Sequence, residues 1–315
     1  IKQMLAILNY TVRDLGLKQG LGDKIPDDAV LVLSLGPKHE FAPEETNALD
    51  RFLAKGGAFL AALDPASEAR FAGLSERLGV TYNPTPLAND QQHLARRRDA
   101  SDNSIILTDQ FSSHASVTTL SRARSGAAIV LVSGGSFDEV AGAPATAPKR
   151  THVVRSLPNT FADLNGNFTF DEGSEKRLSY NLVTAVEKAV DDPDAASAEP
   201  PASAKPVEGE HKAPEVKKKT PAMRAMLFAD AEMFSDAVVL QVQLNGALIF
   251  DSIKWLGGEE AFSGETISEK DVPIEHTQSE DKRWFYSTIF GAPFLLLAIG
   301  LGGVFRARRR AERKA

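Results

Sequence analysis

None of the 315 residues is cysteine, so disulfides, thiolate nucleophiles and cysteine-held metals are excluded. Histidine is sparse as well. His39, His93, His114, His152, His211 and His276 never show the HxH or HxxxH spacing that puts two imidazoles on one metal. Ser133-Gly134-Gly135 follows an apolar run but lacks the glycine spacing of a dinucleotide loop and the lysine of a phosphate loop. Ser133 is not the centre of a G-x-S-x-G elbow either, which removes that class of hydrolase. No internal repeat is present. No metal or cofactor is implied, and no catalytic constellation emerges.

A surplus of positive charge is missing too. The net charge is -6, and six basic residues lie in the last ten positions against Glu312 alone. That tail is locally +5, so the rest of the chain carries -11. An acidic body of this kind argues against nucleic acid as a partner, because phosphate binding needs a basic surface.

What is present is a run of 22 uncharged residues, 284–305, followed at once by RARRRAERK. At about 1.5 Å per residue a helix of that length spans about 33 Å, enough for a hydrocarbon core of about 30 Å. Trp284 and Tyr286 stand where an interfacial aromatic belt lies, and Ala298-x-x-x-Gly302 offers a small-residue face for close helix packing. Arg306, Arg308, Arg309 and Arg310 anchor the far end and orient the C-terminus toward the cytoplasm, since positive loops stay inside. Residues 1–283 are then expected outside. IKQMLAILNY is no signal peptide, which leads to the expectation of an export signal or first membrane helix upstream of Ile1.

The body reads as alternating strands and helices. Residues 1–18 present Ile1, Met4, Leu5, Leu8, Val12 and Leu15 at helical spacing. AVLVLSLGP (29–37) and AFLAALDP (58–65) are buried strands, with a helix from Pro43 to Gly56-Gly57 between them. A helix over 67–78 follows, then strands at 80–82, 104–107, 127–135 and 151–157, with a short helix at 114–121. Residues 179–190 fit a strand early and a helix late. AMLFADAEMF (225–234) is a buried strand, and 245–256 a helix turning Leu248, Ile249, Ser252, Ile253 and Leu256 inward. Such a rhythm predicts an α/β domain with a mostly parallel sheet and helices on both faces. Its expected extent is 1–190 and 223–257. It is interrupted by a Pro-, Ala-, Glu- and Lys-rich loop at 191–222 that is expected to be disordered. A stalk (258–283), the membrane helix (284–305) and the basic tail (306–315) complete the organisation.

Asp64 and Asp230 stand just past the carboxyl ends of predicted strands, the edge where open α/β sheets bind ligands. Each is also the residue type that caps a following turn. DLNGNFTFDEG (163–173) has Asp163, Asn165 and Asn167 at calcium-loop spacing. However, Phe168 stands where that loop needs glycine, and Ser174 where it needs glutamate.

Four stretches carry a family resemblance: 25–65; HASVTTL (114–120); RAMLFADAEMFSDAVV (224–239) with the helix ending at Trp255-Leu256; and the terminal apolar run with its arginines. Their order resembles the auxiliary component of an ABC-type transport system of the gliding-motility (GldG-like) family. Departures from its pattern are Ala115 for a proline, Ala229 for a glycine and Glu232 for the second acid of a Gly-Asp-x-Asp segment. The resemblance implies a flavodoxin- or glutamine-amidotransferase-like fold without the amidotransferase cysteine. It also implies a non-catalytic subunit in a bacterial inner membrane, partnered by an ABC permease and a cytoplasmic ATPase. Asp64, Asp230 and Glu232 are its candidate binding residues. The alternative is a membrane-anchored extracytoplasmic hydrolase or glycan-processing enzyme using Asp64 and Asp230.

Overall fold

A computed structural model describes residues 1–123, 127–142, 144, 146–190 and 222–258. The strands are β1 (Leu31–Leu35), β2 (Ala58–Ala62), β3 (Val80–Asn83), β4 (Leu87–Ala88), β5 (Ile105–Thr108) and β6 (Gln110–Phe111). They continue with β7 (Ile129–Val132), β8 (Ser136–Glu139), β9 (Lys149–Arg155), β10 (Phe161–Ala162), β11 (Asn181–Ala189) and β12 (Ala222–Phe228). The helices are α1 (Lys2–Ile7), α2 (Pro43–Ala54), α3 (Ser75–Leu78), α4 (Thr118–Ser121), α5 (Asp236–Gln241) and α6 (Gln243–Leu256).

Six strands form one mixed sheet in the order β1-β2-β12-β11-β9-β6. The ladders β1–β2 and β2–β12 are parallel, whereas β12–β11, β11–β9 and β9–β6 are antiparallel. Four of the six strands thus point one way, with β11 and β6 reversed. β12 joins beside β2 although about 160 residues separate them; β2 and β12 are the buried parallel strands, and β1 closes that edge of the sheet with Val32 alone buried. Pairs β3–β8, β5–β7 and β4–β10 are separate two-stranded ribbons, all antiparallel.

The period-two alternation of the strands builds two cores. Leu60 and Ala62 of β2, with Met226 and Phe228 of β12, face one side, where α6 lays down Leu248, Ile249, Ile253 and Leu256. Phe59 and Ala61, with Ala225 and Leu227, face the other, where α2 contributes Ala48, Leu49 and Leu53. Each such leucine or phenylalanine stabilises by roughly 1.5–3 kcal/mol when fully buried. Helices therefore cover both faces. α2 starts as its sequence demands: Pro43 needs no N–H partner, and the Glu45 carboxylate accepts the Ala42 N–H at 3.0 Å.

Four local expectations change. The strand expected over 225–234 ends at Phe228, and Glu232–Phe234 is a 3-10 turn. The helix expected over 1–18 stops at Ile7; Asn9 takes φ +60, and Val12 is 44 % exposed. The helix expected over 67–78 shrinks to a 3-10 turn, Ala72–Leu74, and the single turn α3. There the Glu40 carboxylate captures the N–H groups of Arg70, Phe71 and Ala72, and Phe71 sits at φ +52, so the first helical turns cannot form. Residues 181–189 are strand throughout, because β11 pairs with β9 up to Glu187 and with β12 from Val183 to Ala189, and those ladders take up its main-chain groups.

Among the described residues no helix is long and apolar enough to cross a membrane. The apolar run 284–305 with Trp284, Tyr286, Ala298 and Gly302, the arginines Arg306, Arg308, Arg309 and Arg310, the loop 191–221 and the stalk from 259 all lie outside the described residues.

Candidate carboxyl-edge site

β2 and β12 are adjacent and parallel, with Ala62 opposite Phe228. Two residues beyond that pair come Asp64 and Asp230, so the ladder brings the two acids to the same edge. The sequence could place each acid at a strand end, but only the non-sequential pairing makes them neighbours.

Asp230 is 2 % exposed. Its Oδ2 accepts the Val132 N–H at 2.6 Å, its Oδ1 accepts the Glu232 N–H at 2.7 Å, and the Met233 N–H points to the same carboxylate. Burial pushes this carboxyl up to about 7, against the pull of those three donors, and the nearby charge of Asp64 adds to the rise. Asp64 is half-buried, and its Oδ1 accepts the Ala66 N–H at 2.8 Å in the Asp-Pro turn. Glu232 begins the 3-10 turn Glu232–Phe234 and is exposed, contributing its main-chain N–H to Asp230 rather than its own carboxylate. The structure thus gathers Asp64 and Asp230 and leaves the Glu232 side chain in solvent.

Several members of this edge carry no motif. Tyr82 of β3 packs its ring on Phe137 and donates its hydroxyl to the Ala229 carbonyl at 3.4 Å. Burial, reinforced by Asp64, holds that phenol neutral well above its ordinary range. The Arg70 guanidinium lies 5.8 Å from the Tyr82 ring centroid. Gly135 passes so close to β3 that an added Cβ would collide with the Asn83 carbonyl and come within 2.7 Å of the Tyr82 hydroxyl. Gly134-Gly135 after an apolar strand was the one legible signal for this close approach.

A second buried side chain works alongside Asp230. Asn245, fully buried in α6, accepts the Val130 N–H at 3.0 Å and donates to the Val130 carbonyl at 2.7 Å. β7 pairs with β5 along one edge only. Along the other edge, Asn245 and Asp230 satisfy the main-chain groups of residues 130 and 132, doing with side chains what a neighbouring strand would do. The β5–β7 ribbon is fastened to the central sheet in this way.

The calcium-like loop closes on itself. Asp163 accepts the N–H groups of Gly166, Asn167 and Phe168, while Glu175 accepts those of Leu164 and Asp171. Phe168 occupies φ +60 at the position where a calcium loop has glycine. Among the described residues no group of three or more His, Asp or Glu is arranged to hold a metal. The opposite, amino edge of β1 and β2 bears an open cleft of about 690 Å³ with Ile25, Ala48 and Phe52 in its wall and Lys24, Asp27, Arg51 and Lys55 among its charged lining. It shares no residue with the acids at the carboxyl edge.

No protein-family model matches this chain, and neither does any curated protein. Among solved structures, one described as "mmIFT52 N-terminal domain" is similar at 13 % identity and a TM-score of 0.49, over 81 % of this chain and 88 % of that one. A likeness of that degree carries no argument about activity or partners.

Proposed function

We propose that this chain is a non-catalytic, membrane-anchored auxiliary subunit of an ABC transport system. In this reading the α/β domain lies outside the cytoplasm, and the 284–305 helix packs on a permease that works with a cytoplasmic ATPase. The domain belongs to the flavodoxin- or glutamine-amidotransferase-like group of α/β folds. The sequence resemblance and the abrupt boundary between apolar run and arginines motivate the reading. The observation that carries its non-catalytic part is the state of Asp230. Its carboxylate is only 2 % exposed and accepts the main-chain N–H groups of Val132 and Glu232, with the Met233 N–H directed at it, so it serves as a strut between β12 and β7 and is shielded from a substrate. Affinity purification of the full chain from its native membrane is the test. A permease and an ATPase should co-purify, and deletion of 284–315 should remove them. Retention of both partners by the truncated chain would sink the proposed role of the helix.

A second reading keeps one observation in its favour. A carboxyl pushed up to about 7 with a second carboxyl, Asp64, at the same strand edge is the kind of pairing a general acid and its partner need. If Asp64 and Asp230 hydrolyse a glycan, Asp64→Asn should abolish turnover on a panel of glycosidic substrates while leaving the fold intact. Equal rates for both proteins, at background, exclude that chemistry.

A further inference from the structure

Residues 94–100, Leu-Ala-Arg-Arg-Arg-Asp-Ala, are all exposed, yet the segment is rigidly held. The Leu94 N–H donates to the Ile105 carbonyl at 3.0 Å. The Asp102 carboxylate, only 2 % exposed, accepts the main-chain N–H groups of Arg96, Arg97 and Arg98 at 2.6–2.9 Å. Burial opposes its charge, but those three donors outweigh burial and hold the carboxyl below its ordinary range. Arg98 sits at φ +64, a conformation that arginine rarely adopts. When successive N–H groups converge on one internal anion, the backbone curls around it and the side chains project outward. Asp102 is therefore spent on the main chain, and none of the three guanidiniums has an ion-pair partner among the described residues. Leu94, 41 % exposed, lies two residues before them.

We infer that this arginine knob is a contact for anionic phospholipid headgroups. The inference rests on the membrane-anchored reading, which keeps the domain beside a bilayer. The loop presents three exposed guanidiniums, without ion-pair partners among the described residues, together with one exposed leucine. A headgroup layer suits that combination, because its phosphates rearrange around each arginine and its interface admits the leucine. The acidic body, at -11 outside the C-terminal tail, is repelled by an anionic surface, so a local positive knob also sets which side approaches. Each arginine near such a surface adds about 1 kcal/mol, roughly fivefold, so three give on the order of a hundredfold at low salt.

The chain has no cysteine, so Ala95→Cys carries a single nitroxide without further engineering. The labelled full chain is placed in nanodiscs of neutral phosphatidylcholine or of a phosphatidylcholine–phosphatidylglycerol mixture. It is compared with R96Q/R97Q/R98Q, which keeps every main-chain donor to Asp102. Expected is a label slowed and shielded from an aqueous relaxation agent in anionic discs only, released by 0.5 M salt and absent in the triple variant. Identical label behaviour in both lipids, or in both proteins, overturns the inference. If the chain does not enter nanodiscs, the anchored reading fails separately. The knob is then judged by sedimentation with anionic vesicles, where equal binding by the parent and the triple variant overturns it. Release by millimolar inorganic phosphate in place of bulk salt would reassign the knob to a soluble phosphate and also overturn it.

Discussion

Replacing Asn245 with alanine removes both hydrogen bonds to Val130 and leaves a buried N–H and a buried carbonyl without partners. Val130 is 6 % exposed and Asn245 is fully buried, so water does not reach these groups at the surface. An unmet buried main-chain group costs about 1–3 kcal/mol, which puts the loss for two at about 2–6 kcal/mol. A water captured in the space of the lost amide would pull the value to the lower end. Folded domains have total stabilities of only about 5–15 kcal/mol, so the effect is large on that scale. Urea unfolding of the full chain in mild detergent, followed by far-UV circular dichroism, reads it as a lower midpoint at an unchanged slope. Asp230→Asn touches the same strand two residues on, so the double variant should lose less than the two single losses combined. A loss below about 1 kcal/mol for Asn245→Ala, or strict additivity with Asp230→Asn, would refute the idea that these side chains act as the missing strand of β7.

Other outcomes can be checked with the same protein. Asp230 has a folded pKa of about 7 against an unfolded value of 3.8. Its contribution is therefore fully present below about pH 4 and lost as pH rises through about 7. Burial pulls His114 and His152 the other way, so their contribution is present above about 6.5 and lost on acidification. The informative quantity is thus the difference between parent and Asp230→Asn, which should shrink as pH climbs from 4 to 8. A pH-independent difference contradicts it. Gly135→Ala drives a methyl into the Asn83 carbonyl and the Tyr82 hydroxyl, and should cost about 1–3 kcal/mol in the same unfolding assay. Asp102→Ala releases the backbone of Arg96, Arg97 and Arg98. Limited trypsin digestion should then cut there at least tenfold faster, with no new sites elsewhere.

The residue pattern alone placed most of the regular elements. Apolar runs closed by Gly-Pro or Asp-Pro gave β1 and β2, Pro43 and Gly56-Gly57 bracketed α2, and the spacing of Leu248, Ile249, Ser252, Ile253 and Leu256 gave the inward face of α6. These succeed because the burial period and the end signals are local. Failures came where a distant partner intervened. Glu40, some 30 residues away, took the N–H groups that a helix at 70–72 would have used. β11 became strand to its end because β12 pairs with it through Ala189, alongside β9 over most of its length.

The candidate site divides in the same way. The sequence by itself determined that two acids close strand ends, that cysteine chemistry is absent and that the body is acidic. Tertiary structure decided that β12 pairs with β2, which makes Asp64 and Asp230 neighbours. It also decided that Tyr82, Asn245 and the glycine pair converge there, and that Asp230 is a buried strut while Glu232 is not. Those outcomes depend on which strands are adjacent across long stretches of chain. Local periodicity carries no information on that adjacency, because burial of a face fixes a strand's orientation to the core but not the identity of its neighbour.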